Sequence, residues 1–353
     1  SFENRGTRDF DIGGLACLSD AQYEDLAPVQ WPVRNHTDRG LKRFFAAGGF
    51  YTADGRARLV AVAPPALKDL PDADRPFLLN TGRTRDQWHT MTRTGKAPTL
   101  GRHAPEPTLA ILPEDAAAAG LADGAMSRVA TAHGTAVLRL PIVPAQRRAE
   151  IFAPIHWTGE TTAAARVGAL VQAATDPFSG QPELKATAAS LAPVPVATEG
   201  FVLARSRPAA EPCLLWTRVT VEGGEALLFA APEALDGPAF IRRLGGDGVT
   251  VTEVSDPARG LYRAAAFRGD ELEAVCFLGP GARIAYPAVA GLFARDRLDA
   301  TSRKALLAGR SPDGLPDPGP TVCACFSVGL NAVKEVIASG AGDVDAVGRA
   351  TRA

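Results

Sequence analysis

The chain has 353 residues, a formal net charge of -1, and 46% apolar against 22% charged residues. This is room for roughly two or three ordinary globular domains. It excludes a global attraction to nucleic acid or an anionic membrane surface, and no apolar run is long enough to span a bilayer.

The chain begins mid-pattern at Ser1-Phe2-Glu3-Asn4-Arg5, without an initiating Met or a signal peptide. The expectation is that sequence precedes it, and that residues 1–64 are the tail of a larger body. Asp9 to Leu15 and Gln30 to Val33 are turn-rich. Phe50-Tyr51-Thr52, Asp54-Gly55 and Ala57 to Val62 read as a strand, a tight turn and a strand. Pro64, Pro65 and Pro71 mark a linker.

From Arg75 to about Lys185 the pattern is β-rich. An apolar strand, Pro76 to Leu79, runs into a turn at Gly82. Pro113 opens a short alanine-rich helix that Gly120 closes. Met126 to Thr131, Thr135 to Leu140 and Ile151 to Trp157 read as strands, with glycine turns at Asp123-Gly124 and His133-Gly134. Many short strands with such turns predict a closed barrel rather than a parallel α/β sheet. Leu191 to Pro195 reads as a second linker. Residues 196–300 form a small α+β module, with strands Leu214 to Val221, Ala226 to Ala230, Val249 to Val254, Leu261 to Phe267 and Leu272 to Leu278, and a helix near Pro238 to Leu244. No chemistry clusters there, so it reads as scaffold or docking surface. Gly309 to Pro320 is a loop. A helix follows from about Leu330 to Ser339, and another starts near Val344.

The richest stretch is Asn80 to Gly95. A glycine beside Arg83 and Arg85 offers free backbone N–H groups and planar donor forks that fit phosphate. Gln87, Trp88, His89 and Thr90 add a flat apolar face and further donors. Thr81, Gly82, Arg83, Thr84, Arg85, Asp86, Gln87, Trp88, His89 and Thr90 thus form a clamp for a pyrophosphate-bearing, nucleotide-like cofactor; the plainer alternative is a surface loop with a buried Trp. His156-Trp157 either walls the same pocket or fills the core. Asp176 to Lys185 is a turn-rich exit loop in which Lys185 offers charge to a phosphate, and Gln172 offers an amide to a base edge. Spacing alone places neither at the clamp.

The cysteines number five, are mostly scattered, and argue for a reducing cytoplasm over a secreted disulfide framework. Cys17, Cys213 and Cys276 lie in apolar contexts and read as buried core residues. Cys323-Ala324-Cys325 is either a thiol pair or half of a zinc or iron–sulfur site. No nucleophile elbow, Walker loop, Gly-x-Gly-x-x-Gly or paired catalytic carboxylates stand out.

Arg75 to Lys185 resembles the molybdopterin dinucleotide-binding domain of bacterial molybdenum nitrate reductases, in the wider molybdopterin oxidoreductase family. Asn80-Thr81-Gly82-Arg83, Gln87 through Gly95, His156-Trp157 and Asp176-Pro177 through Lys185 carry the likeness, most densely to assimilatory members. Residues 2 to 62 resemble the end of the preceding catalytic domain. Cys323, Cys325, Phe326, Val328 and Gly329 resemble the first cysteine pair of a BFD-like [2Fe–2S] domain, over residues 318–353.

The resemblance implies a double-psi β-barrel over residues 65–192. It implies that Thr81 to Thr90, with Gln172 and Lys185, line one molybdopterin guanine dinucleotide of a molybdenum bis(molybdopterin guanine dinucleotide) centre. Gln172 stands where the family usually has Asn. It also implies that electrons arrive from a reductase or reduced cofactor at a [2Fe–2S] cluster held in part by Cys323 and Cys325. They would pass to a [4Fe–4S] cluster in a missing N-terminal part, and then to molybdenum, where nitrate becomes nitrite. The family's N-terminal cluster cysteines, molybdenum ligand and second cysteine pair are absent, so no catalytic residue is expected in this stretch, and it reads as a fragment of a longer enzyme. The overall class expected is multidomain, mainly β plus α+β. The rival readings are another molybdopterin oxidoreductase, such as a formate dehydrogenase, and a stand-alone electron-transfer or binding module.

Overall fold

The computed structural model describes residues 11–61, 63, 66–177, 179–210, 215–295, 297–312 and 318–352. Expectations resting on residues 1–10, Val62, Pro64, Pro65, Phe178, Cys213, Leu214 and residues 313–317 lie outside the described residues. The chain divides into two units, Ser1–Ala66 and Leu67–Ala353.

The first unit is loop-rich. Its one described α-helix, α1 (Asp20–Glu24), starts at a capping box in which the Ser19 N–H donates to Gln22 Oε1 at 2.9 Å. The expected hairpin at residues 50–61 does not form. Phe50 N–H donates to Gly55 O at 3.0 Å in a compact loop, and Leu59 is 96% exposed. An isolated two-stranded ribbon is marginal in water, and no described strand of this unit offers it a partner. Cys17 is exposed rather than buried, because its apolar neighbours do not close a core around it.

The second unit holds two larger sheets. The first comprises β1 (Phe77–Gly82), β2 (Met126–Ala130), β3 (Thr135–Arg139), β4 (Glu150–Pro154) and β5 (Thr187–Pro193), with α2 (Pro113–Ala118) between β1 and β2. The spatial order is β3-β2-β5-β1-β4. β1 runs parallel to β4, with Leu79 opposite Ile151, and antiparallel to β5. The segment 108–111 bridges both edges: Thr108 pairs with Arg139 and Ala110 with Phe152. The segment 108–111 thus links the two edge strands, β3 and β4, through isolated bridges. Leu79, Leu109, Ile111, Val129, Ile151 and Leu170 fill the interior at 0% exposure. Residues 191–193 belong to β5 and are not a linker. Ala188 and Ala189 are wholly buried between β1 and β2, and Pro193 is tolerated because it ends the strand.

The second sheet is antiparallel, built of β6 (Thr198–Ala204), β7 (Leu215–Val221), β8 (Gly224–Ala231), β9 (Thr250–Asp256), β10 (Leu261–Arg268) and β11 (Glu271–Leu278), in the order β7-β8-β6-β11-β10-β9. The predicted helix is α3 (Gly237–Gly245), started by Asp236, whose carboxylate accepts from Ala239 N–H at 3.0 Å. Strand alternation gives two apolar faces. Val202, Leu227, Phe229 and Cys276 pack with Phe240 and Ile241 of α3. Phe201, Leu203, Val275 and Phe277 pack with α4 (Ala282–Phe293) and α5 (Ala300–Ala308), two helices the sequence reading lacked. Thr162 bridges to Thr217, and Arg218 N–H donates to Thr161 O at 2.8 Å, so β7 is hydrogen-bonded to the segment that follows β4.

A small third sheet pairs β12 (Thr321–Cys323) with β13 (Val328–Gly329), followed by α6 (Leu330–Ala338) and α7 (Val344–Thr351). No described helix is long and apolar enough to cross a membrane.

Candidate functional site: an arginine–tryptophan platform braced by a buried histidine

The site is built on the end of β1. The strand continues through Gly82, which pairs with Pro154, and the turn expected at Gly82 falls instead at residues 85–86. Glycine is needed here for close approach: a Cβ would lie 2.7 Å from the Phe152 ring. Thr81 is buried and its hydroxyl donates to Leu184 O, while Lys185 Nζ donates to Thr81 O. The fold thus brings Lys185 to the clamp. Gln172 lies nearby, its Nε2 donating to Ala186 O at 3.4 Å.

Beyond Gly82 the chain loops outward. His156, fully buried at the end of β4, braces this loop from below: its Nε2 accepts from Thr84 N–H at 2.8 Å, and its Nδ1 lies 2.7 Å from His89 O. Desolvation, its largest influence, together with the nearby Arg83 charge, lowers the His156 pKa, against the raising effect of its bond to His89. The neutral imidazole suits both contacts. His89 (φ 45°) and Met91 (φ 61°) both take left-handed backbone, a conformation non-glycine residues keep only when their surroundings enforce it.

Above this brace, the Arg83 guanidinium lies 4.6 Å from the Trp88 ring centroid, and Trp88 is 56% exposed. A large aromatic left open beside a cation is a platform for a flat ligand. Arg85 is engaged by Asp86 at 2.9 Å, and Asp86 also meets His103 at 3.0 Å. Gln87 is buried and braces the loop, donating to Leu100 O at 3.0 Å and accepting from the Thr94 hydroxyl at 2.7 Å. Its amide is therefore committed to the protein. Thr90 lines an adjoining cavity of about 410 Å³, together with Met91, Lys96, Trp157, Thr158 and Arg218.

Two buried polar atoms on β1 and the loop after it have no partner, Thr84 Oγ1 and Asn80 Oδ1, although Asn80 Nδ2 donates to Glu150 Oε1 at 3.1 Å. Unpaired buried oxygens are costly and point to a polar ligand that completes them. With the exposed Arg83–Trp88 pair, they fit a cofactor carrying both a flat heterocycle and hydrogen-bonding substituents. Sequence reasoning gave Thr94 no role beyond its place in the Asn80 to Gly95 run and missed Leu100 and His103, because their contacts close a loop whose path no motif announces. Cys323 is half-buried and Cys325 exposed, and no group of three or more candidate metal ligands occurs among the described residues.

Residues 77–188 match the molydopterin dinucleotide binding domain family. The five-stranded sheet and its braced loop are therefore a dinucleotide-binding domain of the molybdopterin class. Over 98% of its length the chain is 36% identical to a nitrate reductase of Klebsiella oxytoca, covering 39% of that protein. A Shewanella frigidimarina nitrate reductase is 32% identical over 71% of this chain and 29% of its own length. The assimilatory nitrate reductase catalytic subunit of Bacillus subtilis is 29% identical over 53% of this chain and 26% of its own. The chain is similar to part of each of these nitrate reductases, and spans less than half the length of each of the three.

Proposed function

We propose that this chain is the part of a nitrate reductase that holds one molybdopterin guanine dinucleotide and where electrons enter, with nitrate the substrate of the whole enzyme. The observation that carries the reading is the Arg83–Trp88 platform, braced through Thr84 and His89 by buried His156, inside a matched dinucleotide-binding domain. The bridges that the segment 108–111 makes to both edge strands support a double-psi β-barrel for residues 65–192. Residues 1–64 are read as the end of the preceding catalytic domain, 196–300 as a docking module, and 318–353 as a BFD-like segment in which Cys323 and Cys325 supply two ligands to a [2Fe–2S] cluster. A [4Fe–4S] cluster belongs to the N-terminal part of the enzyme. The cytoplasm is the setting proposed, in keeping with the thiols of Cys17, Cys276, Cys323 and Cys325, none of which forms a disulfide.

When bound, the molybdenum centre supplies the two-electron chemistry that takes nitrate to nitrite. This chain's residues bind and orient the cofactor. Arg83 and Arg85 offer charge to the pyrophosphate, with Lys185 nearby. Trp88 offers a stacking face, and the Thr84 hydroxyl and Asn80 carbonyl offer a donor and an acceptor. Gln87 and Asp86 keep the loop in shape, and His156 fixes its height. Gln172 is the proposed contact with a base edge.

The test is the Trp88→Ala/Arg83→Ala double variant in the full-length enzyme. Molybdenum and guanine nucleotide released on denaturation are expected to fall together, with nitrate turnover. Full cofactor content in that variant would sink the reading. Assay with nitrate and formate in parallel separates the substrate classes.

A further inference from the structure

Asp86, whose side chain is 12% exposed, has two basic partners. Arg85 meets it with a fork: Nε donates to Oδ1 at 2.9 Å and Nη2 to Oδ2 at 3.1 Å. His103 Nδ1 lies 3.0 Å from the same Oδ2. The two partners are held differently. His103 belongs to a loop tied down on its own account. Leu100 O accepts from Gln87 Nε2 at 3.0 Å, Arg102 N–H donates to Thr99 O at 3.3 Å, and a Cβ at Gly101 would come 3.0 Å from Val219 Cγ1 of β7. The Arg85 side chain is 48% exposed and makes no ion pair or hydrogen bond except those to Asp86 among the described residues. While it stays there the carboxylate cancels its charge, and it adds little to the field felt by a phosphate. To leave, it must uncover a carboxylate that water barely reaches, and an uncompensated buried charge is costly.

We infer that His103 is a positioning residue that releases Arg85 to the pyrophosphate of the cofactor. With its Nδ1–H donated to Asp86, His103 keeps the carboxylate partnered when the Arg85 guanidinium turns outward to a phosphate. Arg85 then exchanges one anion for another, and Asp86 is never left bare. Asp86 is the resting partner of the arginine in the empty loop. His103 touches no part of the cofactor, yet it sets how firmly the loaded loop grips. The inference deepens the function proposed above and rests on its placing of the pyrophosphate at this loop.

The test is the rate at which full-length enzyme loses molybdenum and guanine nucleotide during prolonged dialysis. Arg85→Ala and His103→Ala are each expected to speed that loss at least about threefold. Adding His103→Ala to Arg85→Ala is expected to change nothing further, because the histidine acts through that arginine. His103→Gln, whose amide can still donate to Asp86, is expected to keep most of the wild-type retention. Asp86→Asn removes the charge that holds Arg85, so on that background His103→Ala is expected to have no effect. A histidine that only shaped the loop would cost the same on either background. Wild-type retention in His103→Ala, or an undiminished effect of His103→Ala beside Asp86→Asn, would overturn the inference. Failure of the reading it rests on looks different: the Trp88→Ala/Arg83→Ala variant would then hold its cofactor as the wild type does.

Discussion

His156 and Thr84, 72 residues apart, meet through a main-chain N–H donated to a ring nitrogen at 2.8 Å. Since Nε2 accepts, the proton sits on Nδ1 and is donated to His89 O. A protonated ring would set two N–H groups against each other at Thr84. The loop that carries Arg83 and Trp88 therefore depends on the charge state of a residue outside it.

A pH dependence follows. The folded-state pKa of His156 is depressed below its ordinary 6.5. Its contribution to stability is thus present above 6.5 and is lost as pH falls through the lower folded value. The melting temperature is expected to drop on acidification below about pH 6.5, with a shallower drop in His156→Gln. Equal slopes for the two proteins would refute the assignment.

His156→Ala removes both braces and strands the buried Thr84 N–H. A loss of about 2–4 kcal/mol is expected from two hydrogen bonds and one unsatisfied donor. Urea denaturation measures the loss, and hydrogen exchange should place the loosening at residues 84–90.

Trp88→Ala separates binding from folding. The ring is 56% exposed, with the Arg83 guanidinium and the His89 ring each 4.6 Å from its centroid. Stability should change by less than about 1 kcal/mol, while cofactor retention in the full-length enzyme falls. A large stability loss would instead mark Trp88 as a packing residue.

Glu106 sits between two guanidinium groups, Arg139 Nε at 3.1 Å and Arg283 of α4, while Arg139 also reaches Glu199 at 3.2 Å. Burial holds the Arg283 pKa down to about 10. Glu106→Ala leaves largely buried positive charge uncompensated and should cost about 3–5 kcal/mol. Chemical denaturation of the variant checks this; a change below about 1 kcal/mol, the range of a surface ion pair, would show that water already screens the group.

Cysteine reactivity should follow exposure. Cys325 and Cys17 are open, whereas Cys276 is fully buried and desolvation pushes its pKa far up. A thiol reagent applied to the native chain should label Cys325 and Cys17 first and reach Cys276 only on unfolding, as peptide mass spectrometry would show.

Much was legible in the residues themselves. Local signals marked β2, β3, β7 to β11, α2, α3 and α6, because alternation, glycine turns and helix starts act within a few positions. Thr81 to Thr90 stood out as a candidate clamp because its residue types declare their chemistry. Only the tertiary structure put Lys185 beside Thr81, His156 beneath Thr84 and Arg102 against Ser327, since contacts across 72 to 225 residues depend on strand order and register. It also decided that residues 191–193 pair as a strand, that residues 50–61 do not, and that Gln87 spends its amide inside the loop. Each outcome turns on whether a partner lies opposite, and a local run of residues carries no information about what faces it.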